Sequence, residues 1–91
     1  MNAPHVIVVL LNPGRYGLRL EADGRVHWDA EDIPPEGVAA TAEMMGHALR
    51  EAGQPLAALR VLPPPEMTTE DAMDLARTIG DAIARGFSQA S

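Results

Sequence analysis

The sequence predicts an α+β two-layer sandwich: a four-stranded mixed sheet with two helices on one face, in the chain order β-β-β-α-β-α. Three observations carry this. Residues 6–11 are all aliphatic, while residues 18–28 alternate apolar and charged side chains. That contrast separates a central strand covered on both faces from neighbours covered on one. Residues 38–52 and 72–87 each hold one apolar stripe at helical spacing, and glycines and prolines fall between the segments.

The first strand, 6–11, puts Val6, Val8 and Leu10 on one face and Ile7, Val9 and Leu11 on the other. Asn12-Pro13-Gly14 ends it, since proline presets φ and glycine supplies positive φ. A hairpin follows, with Leu18, Leu20, Val26 and Trp28 as its apolar face and Arg19, Glu21, Arg25 and His27 as its outer face. A two-residue Asp23-Gly24 loop would set Leu20 against His27 and Arg19 against Trp28. A three-residue Ala22-Asp23-Gly24 loop sets Leu20 against Val26, Leu18 against Trp28 and Glu21 against Arg25. A one-residue slip flips a whole face, so the apolar pattern selects the three-residue loop, with Gly24 left-handed in a bulge. Trp28 is then expected to be largely buried.

Residues 29–35 read as an acidic connector. A helix is predicted over 36–52, stopped by Gly53 and Gln54-Pro55. Residues 56–62, short, apolar and bounded by prolines, read as a strand. Pro63-Pro64-Pro65 forms a rigid spacer that cannot continue a sheet ladder. Thr68 is the expected cap of the second helix, with acids in its first turn. That helix runs to about residue 85, buries Ala72, Leu75, Ala76, Ile79, Ile83 and Phe87, and is stopped by Gly86. A right-handed crossover through the first helix places the fourth strand parallel to the first, giving spatial order 3-2-1-4. The whole is one small domain, residues 1–91, with 1–4 and 88–91 expected to fray.

Thirteen acids face seven arginines with no lysine, for a net charge of −6. This balance disfavours phosphate backbones and anionic membranes, and it suits a basic protein surface. Without cysteine there are no disulfides or thiolate metal sites. The longest aliphatic run is too short to span a bilayer, so a cytoplasmic chain is expected.

Asp29, Glu31, Asp32 and Glu36 could offer oxygen ligands to a hard cation. They lack the glycine-centred spacing of a calcium loop and read as a solvated acidic run. No metal or cofactor is expected. His5, His27 and His47 are isolated, His27 falling opposite Arg19, and no nucleophile elbow is present, so no catalytic set is expected. Gly14-Arg15-Tyr16-Gly17 has the GXXG form of the KH-domain loop, but here it joins strands in an acidic chain. It places Arg15 and Tyr16 at an exposed tip, where both types suit a partner contact. The run Asp23-Gly24-Arg25-Val26-His27-Trp28, followed by a helix, a strand and a helix, resembles the soluble domain of ExbD/TolR-type transport proteins. A separate strand before the hairpin and the lack of a strand after the second helix depart from that pattern, and no activity is carried over from it.

The expected function is a small acidic, non-enzymatic protein-binding module, an adaptor or an inhibitor that occludes a basic surface of its partner. By analogy only, anti-CRISPR and immunity proteins share this profile. A structural homo-oligomer subunit is the alternative, and an enzyme accessory or small catalytic domain the second. Candidate partner contacts are Ile7, Val9, Leu11, Arg15, Tyr16, Asp29, Glu31, Asp32 and Glu36. Two single-striped helices can cover one sheet face only, so Ile7, Val9 and Leu11 should stand open to water. Monomers rarely leave such a patch unused, which points to a two-fold homodimer through that face.

Overall fold

A computed structural model describes residues 3–11 and 14–89. The strands are β1 (His5–Leu10), β2 (Tyr16–Ala22), β3 (Arg25–Ile33) and β4 (Arg60–Leu62), and the helices are α1 (Val38–Glu51) and α2 (Thr69–Gln89). They form one sheet in the order β3-β2-β1-β4, antiparallel except for the β1–β4 pair. The predicted element order and strand order both hold. Val6, Val8, Leu18 and Leu20 from one sheet face meet Val38, Ala42, Met45 and Leu49 of α1 and Ile79, Ala82 and Ile83 of α2 in a single core. Both helices therefore cover the same face.

The hairpin corrects the expected register. Ala22 faces Arg25 and Glu21 faces Val26, so the loop is the two-residue Asp23-Gly24 turn. Both residues take positive φ, 55° and 76°, as the primed hairpin turn requires. The ladder then slips by one residue: Leu20 faces Trp28 and Leu18 faces Ala30. His27 is the extra residue of that bulge, so it does not oppose Arg19, which faces Asp29. The bulge reconciles a two-residue turn with an inward Leu20, a combination that an unbroken period of two cannot provide. Val26 falls opposite Glu21 and is 52% exposed, while Trp28 packs against the core only half-buried.

Residues 29–33 are strand rather than connector. A second slip lies between the Leu18–Ala30 and Tyr16–Ile33 pairs, and Asp32 there has φ 58°. It shifts the alternation so that Ile33 is buried and Asp32 exposed. With two bulges and outward acids, β3 is a blunted sheet edge.

A 3-10 turn, Pro35–Gly37, precedes α1, which therefore starts two residues later than predicted. The Gly53 amide donates to the Arg50 carbonyl and the Gln54 amide to the Leu49 carbonyl, with Gly53 at φ 70°. This is the Schellman stop anticipated from the glycine. The predicted strand over 56–62 is only partly strand. Leu56–Ala58 form a 3-10 turn, and Arg60–Leu62 alone pair with β1. The Thr68 hydroxyl accepts from the Asp71 amide at 3.2 Å, which caps α2.

Gly86 does not end α2, which continues to Gln89. It is buried where α2 crosses α1. A Cβ there would collide with the backbone carbonyl of Glu43, and one at Gly46 would collide with the carbonyl of Ile83 and lie 2.6 Å from the Phe87 nitrogen. The two glycines let the helix backbones touch, so Gly86 serves packing rather than termination. Pro4 is buried with its carbonyl accepting from the Arg60 amide, and Ser88 and Gln89 are helical. Asn12 and Pro13 of the first turn lie outside the described residues, as do the outermost residues at each end; Gly14 has φ 77°.

Candidate interaction surface

The face of the sheet away from the helices has no covering element among the described residues. Strand pleat fixes what it presents. One cross-strand row runs Arg60, His5, Glu21, Val26, and the next runs Leu62, Ile7, Arg19, Asp29. Beyond them Val9 lies beside Gly17. Val9 is 42% exposed, Leu11 46% and Leu62 44%, while Ile7 is half-buried.

Ile7, Val9, Gly17, Arg19, Asp29 and Glu31 line a small cavity of about 120 Å³. Gly17 creates part of it: a Cβ there would lie 2.7 Å from Val9 Cγ2. The apolar strip on β1 and the acidic run at 29–32 were anticipated as separate surfaces. Because 29–33 is strand, Asp29 and Glu31 instead fall on the same sheet face as Ile7 and Val9.

Charges on this face are partly paired. Arg19 reaches Glu21 at 3.6 Å and Asp29 at 3.9 Å. His5 Nε2 lies 3.5 Å from Glu21 and forms an ion pair only when protonated. All these groups are partly exposed, so each pair contributes little to stability. The arrangement is an apolar strip with an acidic border on the β3 side.

The remaining anticipated contacts fall elsewhere. Arg15 is not a free tip residue; its Nε lies 3.4 Å from Asp32 across the end of the sheet. Tyr16 is the first residue of β2 and packs half-buried against the core, so it is not exposed as expected. Glu36 is exposed in the 3-10 turn before α1. The four acids considered as oxygen ligands are thus strung along an edge rather than gathered. Two residues of the surface are not among the expected contacts, Leu62 and Gly17, the latter named only as part of the GXXG-like turn. A strand ending in leucine at the sheet edge could have signalled Leu62. Nothing in the sequence signals Gly17, whose role depends on its cross-strand neighbour.

His27 is half-buried in the first bulge, and its Nε2 has no hydrogen-bond partner among the described residues. Comparison with family models, with curated proteins and with solved structures finds no match to this chain. No described helix is long and apolar enough to cross a membrane.

Proposed function

We propose that the chain is a non-enzymatic protein-binding module that uses the uncovered sheet face as its interface. The observation that carries this is the meeting of exposed aliphatics from β1 and β4 with the acids of β3 on one face. Apolar side chains supply the desolvated centre of an interface, and charge at its rim selects the partner. The β2–β3 half of the face holds Glu21, Asp29 and Glu31 against Arg19 alone. The occupant is therefore a protein surface with an apolar centre and basic groups at its edge. Covering such a surface would make the chain an adaptor or an inhibitor, acting in the cytoplasm.

The test is affinity recovery from the native cytoplasm, comparing the wild type with Ile7→Asp and with the double reversal Asp29→Lys/Glu31→Lys. Thermal melting of each variant shows whether it is folded; should the half-buried Ile7 prove needed for stability, Val9→Asp, at a 42% exposed position of the same face, takes the place of Ile7→Asp. A partner recovered by the wild type and lost from both variants supports the reading. Recovery indifferent to both overturns it.

A homo-oligomer subunit is the second reading. It is favoured by the presence on this face of Arg19 and Arg60 alongside Glu21, Asp29 and Glu31, which would let two copies approach with opposite charges facing despite a net charge of −6. Sedimentation separates the two readings. A concentration-dependent dimer abolished by Ile7→Asp would replace the first reading by the second.

A further inference from the structure

A second surface differs from the sheet face in both shape and charge. The chain leaves β4 into Pro63-Pro64-Pro65 and enters α2 at Thr69. Between them lies a groove of about 380 Å³. The three prolines and Met67 line it together with Met73 and Ala76 of α2. Thr69, Ala72, Met73 and Ala76 share a helix face by their spacing, and the same face further along α2 carries Ile79 and Ile83 into the core, so the groove lies at the N-terminal end of the buried stripe. Pro64 is buried, which fixes the proline wall, and Met73 is 60% exposed. A wall of prolines loses little conformational freedom when a ligand binds, and methionines adapt to the shape of what they meet.

The charge around it is mainly acidic. Residues 66–74 contain Glu66, Glu70, Asp71 and Asp74, all exposed, and no basic residue; Arg77, exposed one turn beyond Met73, is the next cation along α2 and leaves the balance of residues 66–77 at four acids to one base. Among the described residues none of the four pairs with a cation, whereas Glu21 and Asp29 on the sheet face share Arg19. The helix dipole accounts for acids in the first turn, Glu70 and Asp71. It does not account for Glu66, which precedes the helix, or Asp74, which lies beyond its first turn. Glu66 and Glu70 stand nearest the groove along the chain. Asp71 and Asp74 extend the field round a helix only about 10 Å across, close to the Debye length of about 8 Å at physiological salt.

We propose that this groove docks a short basic, apolar-anchored segment of the partner protein. One or two large apolar side chains of that segment sit between Met73 and the triple proline, and its lysines or arginines lie over Glu66 and Glu70. The inference rests on the reading that the chain binds another protein, and it adds a contact separate from the sheet face.

The test uses the full chain labelled with ¹³C at the methionine methyls. It is titrated with a synthetic amphipathic peptide of leucine and lysine, with a leucine-to-serine peptide of equal charge, and with a lysine-to-glutamate peptide. The expected result is saturable shifts at Met67 and Met73 with the first peptide only, leaving Met44 and the buried Met45 unmoved. Met73→Asp should weaken binding by about tenfold, as loss of an apolar anchor does. Glu66→Lys/Glu70→Lys should weaken it to a similar degree, and rising salt should weaken it further. Ile7→Asp should leave it unchanged. Equal binding of the serine peptide would overturn the inference, because a diffuse acidic surface would then suffice. So would shifts at Met44 matching those at Met73, wild-type affinity in both groove variants, or no saturable binding at all. The two readings fail separately. Partner recovery that depends on Ile7 while the groove variants are silent removes this inference alone. Peptide binding in the groove with recovery indifferent to Ile7 removes the sheet-face reading alone.

Discussion

The same chemical change at two positions of α2 should have opposite effects on stability. At Gly80 an added methyl meets nothing within 4 Å. Gly80→Ala therefore keeps only the gain in helix propensity and the loss of unfolded-chain freedom, together about 0.5–1 kcal/mol of stabilisation. At Gly86 the new Cβ would overlap the Glu43 carbonyl oxygen and lie 2.8 Å from its carbon. Carbon atoms pack best at roughly 3.5–4.0 Å, so α1 and α2 must part by about 1 Å. Backbone cannot rotate away as a side chain can. Overpacking of this kind costs about 1–3 kcal/mol, and a clash against backbone belongs at or above the upper end. After subtracting about 1 kcal/mol of helix propensity, a net loss of roughly 2 kcal/mol remains. In a domain of this size the melting temperature should fall by roughly 8–16 °C for Gly86→Ala and rise by about 2–8 °C for Gly80→Ala. Urea unfolding followed by helix ellipticity measures both, with unchanged slope in each variant showing that stability alone has moved. Equal effects at the two sites, or Gly86→Ala as stable as wild type, would refute the close helix crossing.

Two further substitutions test local structure. Trp28 is the sole tryptophan and packs half-buried opposite Leu20. Trp28→Ala should cost about 2–3 kcal/mol, below the roughly 3–5 kcal/mol of a fully buried large aromatic; native emission should lie between buried and solvated maxima, and a fully red-shifted spectrum would contradict its packing. Thr68→Ala removes the hydroxyl that caps the Asp71 amide, so thermal unfolding should show a loss of about 1 kcal/mol, restored largely by Thr68→Ser.

How far the sequence reaches can be judged residue by residue. Six consecutive aliphatic residues marked β1 as central, and two single apolar stripes put both helices on one side. Together these determined the layer order and the strand order, because burial patterns with periods of 2 and 3.6 are written directly in the chain. The Gly53 stop and the Thr68 cap were legible for the same reason: each satisfies backbone groups of its own neighbourhood. The open face followed by subtraction, since one-sided helices leave Val9 and Leu11 uncovered.

What tertiary structure alone decided lies where local periodicity breaks or distant segments meet. The bulges at His27 and Asp32 each shift the alternation by one residue, which disguised β3 as a connector and misplaced Val26. Gly86 looked like a stop because glycine ends many helices; only the approach of Glu43, far away in sequence, makes it a contact. Pairing with β2 brought Asp29 and Glu31 beside Ile7 and Val9, and the exit from β4 brought the prolines against Met73. The sequence by itself determines which faces each segment must bury, because hydrophobic burial is set by side chains in order. Only packing determines register across a bulge and the depth of a helix crossing, because both depend on atoms from segments that the order of residues does not bring together.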